Sequence, residues 1–145
     1  MEGITTHIVS VDSPEYQQVY ALRETVLREP IGLSLANEDL SRDKEDIILA
    51  ALQNSKVIGC LMLQHKDRHT IKFRQMAVSP DHQKKGIGNI LVAAAEKLSR
   101  EKGYSKVVLH AREVAEGFYT KLGYHITGDP FTEVGIPHFV MEKDI

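Results

Sequence analysis

Cysteine is nearly absent from this 145-residue chain: Cys60 stands alone and can form no disulfide within the molecule. It lies in the apolar run VIGCLML, where a small buried residue is expected rather than a nucleophile. No apolar run approaches the length of a membrane span, and the N-terminus lacks the basic-then-apolar pattern of a secretory signal. A cytoplasmic protein with no membrane partner is the expectation. An excess of one charge is missing too. Eighteen Lys and Arg against 20 Asp and Glu leave a net charge of −2, without the basic surplus of a nucleic-acid binder. Among seven histidines, His65 and His69 flank a polar turn, but no Cys or carboxylate pattern accompanies them, so no metal is expected. Repeats, low-complexity tracts and linkers are absent as well, and residues 1–145 are read as one domain.

The elements can be read in order. Ile4–Val11 is β-branched enough for a strand, and Asp12, Ser13 and Pro14 make a turn and a helix start. Pro14–Arg28 has helical spacing (Tyr16, Val19, Tyr20, Arg23, Val26, Leu27) and is ended by Pro30 and Gly32. Ser34–Lys44 is polar and irregular, either a short helix or a mobile segment. Asp46–Leu52 and Val57–Gln64 are strand-length runs joined by the turn Gln53–Lys56, and Ile71–Val78 is a further strand. The helix after residue 86 presents Ile87, Ile90, Leu91, Ala94 and Leu98 on one side and stops at Gly103. Lys106–Ala111 is a strand, Ala115–Leu122 a short helix, and Tyr124–Thr127 a strand. Gly128-Asp129-Pro130 breaks the chain before the last strand, Pro137–Glu142. The order is that of an α/β domain with a mixed sheet.

Between strand and helix at the centre of the chain lies QKKGIGN. The nucleotide P-loop needs Gly-Lys followed by Ser or Thr, and the dinucleotide fingerprint needs a third Gly or Ala where Leu91 stands; neither is met. What remains is Gln83-x-x-Gly86-x-Gly88 at a helix N-terminus, where N–H groups have no intrahelical partner and the dipole is positive. Gly86 and Gly88 would let a pyrophosphate approach the backbone, and Lys84 and Lys85 add charge. This loop in its strand–loop–helix setting resembles the acyl-CoA pyrophosphate loop of the GNAT superfamily of N-acetyltransferases, and the element order is similar along almost the whole chain. The resemblance implies the GNAT fold: a mostly antiparallel mixed sheet with one splayed parallel strand pair, flanked by helices. It implies acetyl-CoA as co-substrate, held by backbone groups of Met76, Ala77 and Val78 and by the loop Gln83, Lys84, Lys85, Gly86, Ile87, Gly88 and Asn89. A continuous sheet with no gap is the alternative.

Two further segments carry chemistry. AEGFYTKLGY resembles the family's "A…FY.K.GF" signature, which implies Tyr119 as the acid for the departing thiolate; otherwise Tyr119 simply packs. GIPHFVM resembles the C-terminal strand of the glyphosate N-acetyltransferase-like branch, which implies His138 as general base; a carboxylate-relayed water or a purely structural histidine are the alternatives. The same branch implies that Arg23, Arg74 and Arg112 bind acidic groups of the acceptor, since guanidinium forks match carboxylate and phosphonate geometry. The competing assignment is structural ion pairs with Glu24, Glu113 or Glu116. The expected activity is acetyl transfer to the primary or secondary amine of a small anionic acceptor, such as an amino acid or aminophosphonate. A protein or peptide acceptor, or a non-catalytic acyl-CoA sensor, are the alternatives. Ser34–Lys44 differs from the branch and the turn Gly128–Gly135 is shorter, so the branch's named substrate is not carried over. Many GNATs pair as dimers, and the oligomeric state is left open.

Overall fold

The structure is a computed structural model describing residues 3–145; Met1 and Glu2, the first residues of the expected domain, lie outside the described residues. Strand β1 (Ile4–Val9) is followed by helix α1 (Pro14–Arg23), then by β2 (Ile47–Gln53), β3 (Lys56–His65) and β4 (Thr70–Val78). After helix α2 (Ile87–Glu101) come β5 (Lys106–Arg112), the short helix α3 (Glu116–Lys121), β6 (His125–Glu133) and β7 (Ile136–Asp144). They form one seven-stranded sheet of order β1-β2-β3-β4-β5-β7-β6, antiparallel throughout except for β4 beside β5.

Each face of the sheet has its own core. On one side Ile87, Leu91, Val92 and Ala95 of α2, with Tyr119 of α3, pack on Leu61, Phe73, Val107, Leu109 and Ala111. On the other, Val19 and Leu22 of α1 pack on Ile48, Ala50, Cys60, Met62 and Ala77. Cys60 is buried as expected, and burial pushes its thiol up to about 12. No helix among the described residues is long and apolar enough to cross a membrane.

Two features of the sheet shape the site. On β3–β4, Cys60 faces Ala77 and Met62 faces Arg74, so Gln75 and Met76 together oppose Leu61, and Gln75 sits in the left-handed region at φ 56°. Such a bulge bends its strand and sharpens the twist. Immediately beside it the parallel ladder ends: β4 pairs with β5 only from Thr70↔Lys106 to Phe73↔Leu109. From Arg74 onward the two strands splay, and the continuous-sheet alternative is excluded.

Several boundaries differ from the expectations. The helix expected over Pro14–Arg28 is α-helical only to Arg23 and widens into a π turn over Glu24–Arg28. Ser34–Lys44 is ordered as two 3-10 turns, Leu35–Asn37 and Ser41–Lys44, docked by side-chain contacts from Glu24, Arg23 and Arg74. On α2 the fully buried positions are Ile87, Leu91, Val92, Ala95, Glu96 and Ser99; Ile90, Ala94 and Leu98 flank them and are half-buried. The break expected at Gly128-Asp129-Pro130 is a shift of register between Thr127 and Phe131 within β6. The β6–β7 turn is the two residues Val134 and Gly135, both at positive φ (46° and 75°), as a tight two-residue hairpin requires. An outlying φ for a β-branched residue is the conformational cost of that turn.

Candidate active site

The alternation of β5 builds the site. Val107, Leu109 and Ala111 point into the core under α2, so His110 and Arg112 point to the opposite face of the sheet. Register then aligns Arg112 with His138 of β7 and His138 with Phe131 of β6. Lys72 and Arg74 bring the same face of β4 to the other bank. Where β4 and β5 splay, a cavity of about 400 Å³ opens, lined on this side by Arg28, Lys72, Arg74, His110, Arg112 and His138. Its lining also includes Leu61, Phe73, Leu109, Ala111 and Tyr119 from the α2–α3 side. It therefore joins the two faces through the gap between the strands.

His138 is 4% exposed. Its Nδ1 lies 2.8 Å from the Ile136 carbonyl oxygen. A carbonyl only accepts, so Nδ1 donates and the lone pair of the neutral ring is on Nε2. Phe131 holds the ring from one side, with centroids 5.8 Å apart, and packs edge-on against His110 at 5.1 Å. Tyr119 stands across the splay with its hydroxyl 4.0 Å from Met76 Sδ, packed edge-to-face on Phe118 and Tyr124. Burial pushes its phenol up to about 12, so it keeps its proton throughout the neutral range.

The arginines divide. Arg23 is 1% exposed and does not line the cavity: its NH1 donates to Asp43 Oδ2 at 2.8 Å and its Nε to Gln75 Oε1 at 3.2 Å. It fastens the β4 bulge to the Ser41–Lys44 turn, apart from the cavity in which it was expected to meet the acceptor. Arg74 lines the cavity but gives Nε to Asp46 at 2.8 Å and NH2 to Asp43 at 3.2 Å. Arg112 donates NH2 to the Leu27 carbonyl at 2.9 Å and has no carboxylate partner among the described residues. Burial, and secondly the like charge of Arg28, hold its guanidinium below the usual value. The ion-pair partners of Arg23 and Arg74 are thus Asp43 and Asp46 rather than Glu24, Glu113 or Glu116. Glu24 instead accepts from Ser34 Oγ and the Leu35 N–H.

Five site residues escaped the sequence reading. Arg28 lines the cavity and is gripped in two places by Glu38, at 2.6 and 3.2 Å. Lys72 lies two residues before Arg74 and His110 two before Arg112, so strand alternation could have found both. Burial lowers the ammonium of Lys72. Glu133 and Asp43 sit at a hairpin end and in an irregular turn, where no periodicity marks them.

The loop after β4 can hold a phosphorylated group. Gly86 caps α2 in the left-handed region at φ 83°, with no atom within 4 Å of where a Cβ would stand. Lys84 is left-handed too, at φ 64°. No side chain caps α2 among the described residues, and Ile90 is the first N–H to reach a helical carbonyl, that of Gly86 at 3.1 Å. The N–H groups of Ile87, Gly88 and Asn89 are thus free of intrahelical partners. Gln83 turns back to donate to the Val78 carbonyl at 3.1 Å. Gly88 has a packing task besides the one expected of it: a Cβ there would stand 3.1 Å from Phe118 Cζ, so its bareness lets α3 approach α2. The splayed edge of β4 and this uncapped helix start together fit an extended, pyrophosphate-bearing thioester such as acetyl-CoA.

The profile of the Acetyltransferase (GNAT) domain matches residues 11–145. The uncharacterised protein YyaT of Bacillus subtilis is 42% identical over 77 residues, 53% of this chain and 52% of YyaT. The chain spans about half the length of the first curated relatives it matches. The uncharacterised N-acetyltransferase YjcF of the same organism is 27% identical over 140 residues, 94% of this chain and 98% of YjcF. A GNAT family acetyltransferase from Elizabethkingia anophelis, solved with acetyl-CoA bound, shares the fold with a TM-score of 0.76 at 23% identity, covering 100% of both chains. With its splayed parallel pair, its uncapped glycine loop and a matching profile from residue 11 to residue 145, the chain belongs to the GNAT family of acetyltransferases.

Proposed function

We propose that this chain transfers the acetyl group of acetyl-CoA to the primary or secondary amine of a small acceptor carrying one or two acidic groups, of amino acid or aminophosphonate type. The observation that carries the reading is Arg112: a guanidinium on the cavity wall, in register with His138, with no carboxylate partner among the described residues. A half-buried guanidinium that no carboxylate among the described residues grips is suited to receive one from a ligand. Arg28, Lys72 and the remaining N–H groups of Arg74 add to a lining in which, among the described residues, cations outnumber the single carboxylate, Glu133. The likeness of the arginine segments to the glyphosate N-acetyltransferase-like branch supports the same substrate class.

Acetyl-CoA supplies an acyl group activated as a thioester. The backbone of Met76, Ala77 and Val78, at the edge freed by the splay, holds its pantetheine arm. The loop from Gln83 to Asn89 holds the pyrophosphate, with Lys84 and Lys85 at its mouth. On the opposite face, Arg112 and Arg74 orient the acceptor by its acidic group, and Arg23 supports Arg74 from behind through Asp43. His138 takes a proton from the acceptor's nitrogen at Nε2, the ring nitrogen whose lone pair is free. Tyr119, still protonated at neutral pH, gives its proton to the departing sulfur. The test is thiol release from acetyl-CoA across acidic, neutral and cationic small amines. Turnover confined to acidic amines is expected; preferential turnover of neutral or cationic amines would discard the anionic acceptor.

A further inference from the structure

Among the described residues Glu133 is the one carboxylate lining the cavity, and no arginine or lysine is bonded to it. Asp43, Asp46 and Glu38 are all engaged by arginines. Glu133 ends β6 beside the tight Val134–Gly135 turn, with its side chain 44% exposed. Its Oε1 lies 3.1 Å from His110 Nδ1, which donates to it and so fixes the carboxylate's direction. The other oxygen, Oε2, stands 3.7 Å from His138 Nε2. That separation is too long for a hydrogen bond, and in the neutral tautomer both atoms offer lone pairs. Two acceptors therefore face each other on the cavity wall with a gap between them that a donor can fill.

We propose that Glu133 Oε2 and His138 Nε2 form a two-acceptor cradle for the acceptor's amine nitrogen, making Glu133 a substrate-binding residue that selects a nitrogen able to donate two hydrogens. This rests on His138 as the proton acceptor in the reading above. A nitrogen placed about 2.9 Å from each atom sees them about 80° apart, which bends each tetrahedral N–H by only about 15°. A protonated primary or secondary amine satisfies both partners, whereas a hydroxyl has one hydrogen and can satisfy only one of the two acceptors. As one N–H bond breaks, its proton moves to His138 Nε2 and the electron pair stays on nitrogen. The nitrogen is still held through its other hydrogen on Glu133. The ammonium end of the acceptor is thus read by Glu133 and its acidic end by Arg112, from strands β6 and β5 that flank β7 and its His138 on either side.

The test compares wild type with Glu133→Gln and Glu133→Ala, using the amine that wild type acetylates fastest. Its KM is measured beside the inhibition constant of the desamino analogue, the same acid with hydrogen in place of the amine. Loss of a charged hydrogen bond predicts that the amine's KM rises about tenfold or more in both variants. The desamino inhibition constant and the KM of acetyl-CoA stay within about twofold of wild type. An unchanged amine KM, or an equal shift for the desamino analogue, would overturn the cradle. A fall in kcat alone would make Glu133 the proton acceptor and overturn it as well. Wild-type turnover reads the acceptor class by itself, so a chain that acetylates acidic amines while indifferent to Glu133 defeats only the cradle. Gln preserves the shape of Glu, so that variant keeps the test meaningful if the Ala variant folds poorly.

Discussion

At the scale of single residues, burial and partners separate side chains that the sequence presents alike. Arg23 and Arg112 both fall on strand or helix positions that should be apolar, and both resemble the same acceptor-binding pattern. Arg23 is enclosed with Asp43, which also accepts from Tyr16 at 2.6 Å and from Arg74. Removing Arg23 takes the nearer cation from Asp43 and leaves Arg74 as its counter-ion. Arg23→Met should therefore lower stability by about 1 to 3 kcal/mol in denaturant titrations, the cost of a charged hydrogen bond lost from a buried group. Tyr119 yields a second prediction. Tyr119→Phe should lower kcat by roughly 10²-fold or more, the contribution of a positioned acid, with the KM of acetyl-CoA little changed. Because burial raises its phenol to about 12, the proton is retained up to that region. An alkaline limb in kcat near pH 9 that disappears in Tyr119→Phe would contradict this retention of the proton.

At the scale of elements, the loop and the bulge differ in how visible they are. QKKGIGN announces itself because glycine and lysine at a helix start have few other uses, and the two strand-length runs around Gln53–Lys56 define their hairpin by their pattern. The β4 bulge leaves no such mark: IKFRQMAV reads as an unbroken strand, and its kink comes from the pairing of Cys60 and Met62 across it. Gly128-Asp129-Pro130 misleads in the opposite sense, because turn residues in β6 are absorbed as a change of register at the sheet's edge. The two loop glycines should respond differently to alanine. Gly86→Ala forces a left-handed residue to carry a Cβ, costing about 1 kcal/mol, and should raise the KM of acetyl-CoA while leaving the acceptor's alone. Gly88→Ala presses on Phe118 and through it on α3, so it should lower kcat as well, measured in the same steady-state assays.

For the whole molecule, strands and helices are legible in the apolar runs and turn residues of the chain, whereas the single parallel pair is what the likeness of element order to the GNAT superfamily implies. The site does not follow in the same way, because it is assembled from β4, β5, β7, the β6 end and the 24–28 turn, and only β5's alternation hints at which face is open. Asp43 in particular comes from Ser34–Lys44, a polar segment whose order depends on buried arginines far away in sequence. The folded state also holds Tyr16 and Tyr119 up to about 12, against about 10 in the unfolded chain. Below pH 10 both states keep these protons and the contribution to stability is whole; above it the unfolded chain loses them first. The melting temperature should accordingly fall as pH rises from about 10 to 12, and less steeply in Tyr16→Phe.

The most direct measurement of the central claim is charge selectivity with and without Arg112. The kcat/KM for an acidic amine is divided by that for its neutral amide, in wild type and in Arg112→Ala. We predict that wild type favours the acid by about tenfold or more, the worth of one charged hydrogen bond, and that the variant loses most of this preference through a raised acceptor KM. A ratio that is the same in both proteins would contradict an acceptor site organised around Arg112.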